Sequence, residues 1–120
     1  MSYLGRLIHS CSIARWDTVI GDLKERRGDY AAVDGQDAVP CLKVPANATS
    51  VQELFGRQVN ATALCYFAAG QEIHPNEADT SGKPDQLTIT DDAGVTSVWY
   101  VEASKDAGAR HRGIVAALRR

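Results

Sequence analysis

At 120 residues the chain has room for one domain, with a core large enough to need no staples. A hydrophobic content of 44%, a charged content of 23% and a net charge of -2 exclude a disordered tail and a strongly basic nucleic-acid tether. No apolar run approaches the roughly 20 residues that cross a bilayer, and His9, Ser10 and Ser12 interrupt any signal-peptide core in residues 1–15, so neither a membrane span nor export is expected.

Taken in order, residues 7–16 alternate weakly and predict a first strand with both faces partly covered. Residues 17–27 read as a loop with at most one helical turn, because Gly21 and the charges from Lys24 to Arg27 oppose the helical spacing of Val19 and Leu23. Asp34-Gly35 is a turn. Residues 38–44 resume as a strand, with Pro40 and Pro45 confined to an edge or to strand ends, since neither donates a ladder hydrogen bond. Ser50-Val51-Gln52-Glu53 has capping-box spacing and predicts a short helix starting at Ser50. Val51, Leu54 and Phe55 share one face, and Gly56 limits the length. So short a helix must dock, either plugging the sheet or riding on a mobile loop toward a partner. Residues 60–69 are apolar on both faces, as in a central strand, and residues 70–84 form a long polar connection.

The clearest signal is residues 85–120, a β-meander. Leu87 and Ile89 alternate with polar neighbours, Asp91-Asp92-Ala93-Gly94 is turn chemistry, and Val98, Trp99, Tyr100 and Val101 form a dense strand. Lys105-Asp106-Ala107-Gly108 repeats the turn before residues 113–118 return. The expected fold is mainly β, a small antiparallel barrel or sandwich in a single domain, with one short helix in the loop at about 45–60.

Cys11, Cys41 and Cys65 form no C-x-x-C and cannot all pair, so free, buried thiols are expected. A zinc site built on His9 and Cys11 has no supporting ligand spacing, and no metal or cofactor is expected. No phosphate-cradling glycine loop is present. His9, His74 and His111 stand in no nucleophile motif, and Asp91-Asp92 is turn chemistry rather than a catalytic pair, so an enzyme is not expected. Charge is segregated: residues 71–104 hold seven acids against Lys83 alone, whereas residues 105–120 hold five Lys/Arg against Asp106. Such a split suits electrostatic pairing between copies or with a partner. An OB-like binder of single-stranded nucleic acid is compatible with Tyr66, Phe67, Trp99 and Tyr100, although aromatics in apolar runs are more often core.

The opening Leu7-Ile8-His9-Ser10-Cys11-Ser12-Ile13-Ala14-Arg15 strand, the Asp29-Tyr30 region, Val39-Pro40-Cys41-Leu42-Lys43, Glu72-Ile73, Asp91 with Gly94, and Val98-Trp99-Tyr100-Val101 closing on Arg110-His111-Arg112 together resemble head-closure (stopper) and head-to-tail joining proteins of tailed bacteriophages. The resemblance rests on chain length and element order. It implies a virion neck protein, made in the host cytoplasm, that forms a homo-oligomeric ring below the portal and adaptor proteins, closes the channel on packaged DNA and docks a tail-side terminator, with no membrane involved. The channel loop of that family maps onto residues 44–60, which makes Val51, Leu54 and Phe55 the expected gate contacts. Arg110, Arg112, Asp91 and Asp92 are the expected subunit or partner contacts. A tail-completion protein or the OB-like binder are the alternatives.

Overall fold

A computed structural model describes residues 7–20, 26–76, 83–106 and 113–120. Seven strands and one helix follow in the order β1 (His9–Ile20), β2 (Arg26–Ala32), β3 (Val39–Pro45), α1 (Ala48–Phe55), β4 (Ala63–Phe67), β5 (Gln86–Thr90), β6 (Thr96–Asp106) and β7 (Ile114–Arg119). All strand pairs are antiparallel, in the order β2-β1-β3-β4-β7-β6-β5, and β5 pairs back onto β1. Six strands therefore close into a barrel, which leaves no exposed edge among them. The expected barrel is present.

Strand β1 makes the closure. Ser10–Ala14 pairs with β5 on one side, and on the other His9–Cys11 pairs with β3. Past Ala14, from Arg15 to Ile20, the strand continues beyond the β5 ladder and, among the described residues, pairs only with β2, as an arm projecting from the barrel. The molecule is accordingly elongated, 54 × 31 × 25 Å. This corrects the expected loop over residues 17–27: Asp17 to Ile20 and Arg26-Arg27 are strand. The physical reason is the ladder, which satisfies backbone groups that a loop would leave to water, and Thr18, Val19 and Ile20 are β-branched. Pro40 and Pro45 fall at the two ends of β3, where the missing N–H costs least.

Alternate residues fill the barrel. Cys11, Ile13, Cys41, Cys65, Phe67, Leu87, Ile89, Val101 and Leu118 form one core cluster with Trp99. A second cluster lies outside the barrel wall, where α1 packs on β4 and β7: Val51, Val59, Ala61, Leu64, Ala103, Val115 and Ala117, with Leu54, Phe55 and Tyr66 at its margin. The outer cluster exists because of a bulge. Val101 pairs with Leu118 but Ala103 pairs with Ala117, so Glu102 is the extra residue, and Val101 faces the barrel core while Ala103 faces the helix.

The helix is capped three residues earlier than the sequence reading placed it. Asn47 is the N-cap, its Oδ1 accepting from the Ser50 N–H at 2.8 Å, while Ser50 Oγ accepts from the Asn47 N–H at 3.3 Å. Ser50 thus takes the reciprocal role expected of Glu53. The earlier start gives eight residues and turns Val51 onto the sheet. Gly56 ends the helix in the left-handed conformation at φ 69°, and Lys105 Nζ donates to the Leu54 carbonyl at 2.7 Å.

Phe67→Ala should cost about 3–5 kcal/mol of unfolding free energy, and Val51→Ala less, about 1.5–3 kcal/mol, because one empties the barrel centre and the other trims the outer cluster. Urea unfolding followed by circular dichroism measures both, and a Val51→Ala loss as large as that of Phe67→Ala would show that the helix wall, not the barrel interior, dominates stability.

Candidate functional site

Where the arm leaves the barrel, its paired residues stack outward. Trp16 and Tyr30 face each other across the β1–β2 ladder in an edge-on contact at 5.3 Å, and Tyr30 meets Tyr100 of β6 at 5.9 Å. Both ends of this row carry a cation: Lys83 Nζ lies 4.5 Å above Trp16, and the Arg119 guanidinium lies 5.2 Å from Tyr100 while pairing with Glu102. Tyr30 Oη donates to the Pro84 carbonyl at 2.8 Å, and Gln86 Nε2 donates to Tyr100 Oη at 3.1 Å. Burial raises the Tyr30 phenol pKa above its ordinary value, so the ring stays a neutral donor. Tyr30, Asn76, Lys83, Pro84, Tyr100 and Arg119 enclose an open cleft of about 460 Å³. It offers two cations, of which Arg119 pairs with Glu102, and aromatic surface.

The upper barrel mouth is tied by a polar clasp. Asp85 is fully buried, and its carboxylate accepts from Arg15 Nε at 3.2 Å, from Arg15 Nη2 at 3.3 Å and from the His74 N–H at 2.9 Å. Its backbone joins the same knot, accepting from Val101 N–H and donating to the His74 carbonyl. On the exposed side Glu72 meets the His74 ring at 2.8 Å and Arg15 at 3.8 Å, and these two contacts, His74 first, hold its carboxyl below the usual value.

At the lower mouth Trp99 is covered by Lys43 Nζ at 4.9 Å and by the Arg120 guanidinium at 5.1 Å. His9 sits beside them, its Nδ1 accepting from the Lys43 N–H at 2.9 Å, which leaves Nε2 to carry the proton in the neutral ring. Cys11, Cys41 and Cys65 are free and buried in the barrel core, with Cys41 within hydrogen-bonding reach of the other two. Burial pushes the Cys65 thiol well up, so it behaves as a small apolar group. Among the described residues no three of His, Cys, Asp and Glu gather as a metal site, and none of the described contacts joins a nucleophile to a base at the protein surface.

The expected contact residues are dispersed. Val51 is fully buried beneath α1, and Leu54 and Phe55 are half-buried, so the helix is docked on its own barrel. Asp91 Oδ1 accepts from the Ala93 and Val95 N–H groups at 3.0 and 2.9 Å, serving its own turn, while Asp92 is exposed with His9 Nε2 at 3.9 Å. Arg110 and Arg112 lie outside the described residues. Of the aromatics named from sequence, Phe67 and Trp99 are core, Tyr66 borders the helix and Tyr100 alone joins the cleft. The sequence alone assigns no contact to Trp16, Tyr30, Arg15 or Asp85: only the arm register brings the first two together, and Arg15 and Asp85 are 70 residues apart.

No family model, curated protein or solved structure matches the chain. The fold and its surfaces alone define the protein's class: a closed, side-chain-filled antiparallel barrel with a projecting arm.

Two outcomes test the clasp. Asp85→Ala should destabilise by about 3–5 kcal/mol, because Arg15 loses its buried partner; chemical denaturation reads this, and a loss under 1 kcal/mol would reduce the clasp to a surface pair. A depressed carboxyl favours the folded state above its ordinary midpoint of 4.5 and loses that contribution as pH falls through the lower folded value. The Glu72 side-chain carboxyl resonance should therefore titrate below 4.5 and move upward in His74→Ala.

Proposed function

We propose that this protein is a structural connector of the phage neck, a head-closure (stopper) protein that assembles as a ring below the portal and adaptor proteins, holds packaged DNA and offers a docking surface to the tail-side terminator. The observation that carries the reading is the arm. Among the described residues strand β2 pairs on one edge only, in an arm outside a barrel whose interior is filled by side chains, and the molecule is 54 Å long. A filled barrel has no room for a ligand, so its recognition surfaces are external, and an unpaired strand edge is a template for another chain. An elongated subunit with different surfaces at its two sides suits a head-to-tail ring. In this reading residues 44–60 face the channel, and because Val51 is buried under α1, gating by this segment requires the helix to leave its wall.

A second reading, a single-strand nucleic-acid binder, draws on the cleft of Tyr30, Tyr100, Lys83 and Arg119. Retardation of oligonucleotides with a steep salt dependence, lost in Tyr100→Ala, favours it; no retardation at low salt removes it.

Electron microscopy of phage particles with and without the gene separates the readings. Heads emptied of DNA beside complete free tails are the expected phenotype of deletion, and normal particles would overturn the neck assignment. Arg110→Glu with Arg112→Glu should weaken ring formation on the adaptor at low salt, whereas unchanged assembly would sink the electrostatic part of the model of assembly.

A further inference from the structure

Around the barrel the strands run β1, β3, β4, β7, β6, β5, so the wall centred on β5 stands opposite the wall centred on β4. The β4 wall is covered by the chain's own helix, whereas no helix among the described residues covers the β5 wall. Its outward positions form level rungs across three strands: Ser10 beside Thr90 beside Thr96, then Ser12 beside Thr88 beside Val98. None is charged, in a chain with 23% charged residues, and Thr90 and Thr96 lie with their hydroxyls 3.4 Å apart. Immediately below, Ile8 and Val95 are 58% and 61% exposed, and Val98 is 40% exposed. Strands normally keep charge on their solvent side, because it discourages association.

The exposed side of α1 is matched to such a surface. Ala48, Thr49 and Gln52 face solvent, Glu53 is the single charge of the helix, and Leu54 and Phe55 are half-exposed at its end. A closed ring needs two different surfaces on opposite sides of each copy, which this pair supplies, whereas two bare walls pressed together would stop at a dimer. Resting on the ring reading above, the geometry points to a second copy of this chain as the occupant: the uncharged β1–β5–β6 wall of one copy receives the α1-covered wall of the next. From strand and residue spacing the flat part of the wall spans about 250 Å². A stable interface takes about 800 Å² per partner, so isolated copies pair weakly and the contact holds when a ring satisfies both sides of each copy.

The three native cysteines are buried, which allows surface thiols to report the contact. In the double variant Thr88→Cys/Gln52→Cys, treated at about millimolar protein with a short bis-maleimide, a denaturing gel should show a ladder running past the dimer. Each single variant should stay monomeric. Adding Val98→Lys, at a position 40% exposed where the thermal melt should stay unchanged, should reduce the ladder at least about tenfold by burying an unpaired charge. Dimers from Thr88→Cys alone would overturn the proposal in favour of two bare walls meeting. Rings seen by microscopy without a ladder would overturn the wall assignment and keep the ring. Neither rings nor ladder at this concentration would overturn both.

Discussion

Everything in this structure depends on one strand having two sets of partners. Over Ser10–Ala14 β1 bonds to β5, over His9–Cys11 it also bonds to β3, and past Ala14 it bonds to β2 alone. The first two ladders turn a meander into a barrel, and the third makes an arm out of the residues that outrun it. Closure satisfies every internal strand edge, and six strands enclose a volume that side chains fill, which is why the interior is core rather than cavity. The remaining unpaired edge among the described strands is then displaced to β2, away from the barrel.

Closure also fixes where polarity can go. With the interior apolar, the one fully buried carboxylate among the described residues, Asp85, sits at the barrel mouth where Arg15 and the His74 N–H reach it. The cations Lys43 and Arg120 at the opposite mouth lie over the edge of the core on Trp99, keeping their charged ends near water while covering the ring. The single extra residue at Glu102 does comparable work on the outside. It turns Ala103 away from the barrel core toward α1, so that this wall acquires a second apolar layer.

The charge split of the sequence reads differently in three dimensions. Glu102, from the acidic stretch, pairs with Arg119 from the basic end across the β6–β7 ladder, Asp85 is neutralised by Arg15, and Glu72 faces Arg15 and His74. Antiparallel pairing places the two stretches side by side, so blocks separated in sequence become local pairs. The charge blocks of the sequence are consequently a poor guide to how charge is distributed on the folded surface.

The strand-rich class, the meander with its Asp91–Gly94 turn, the short helix ending at Gly56 and the burial of the three thiols are all legible in the amino-acid order alone. Each is set locally, by two-residue alternation, by a glycine free to take positive φ, or by apolar runs that have nowhere else to go. Long-range pairing and packing, by contrast, make Asp17 to Ile20 strand, have Asn47 rather than Ser50 cap the helix, and bring Trp16, Tyr30 and Tyr100 into one aromatic row. The same holds for the Arg15–Asp85 clasp. These depend on register between strands distant in sequence, where propensities differ by about 1 kcal/mol and a ladder or a docked face outweighs them.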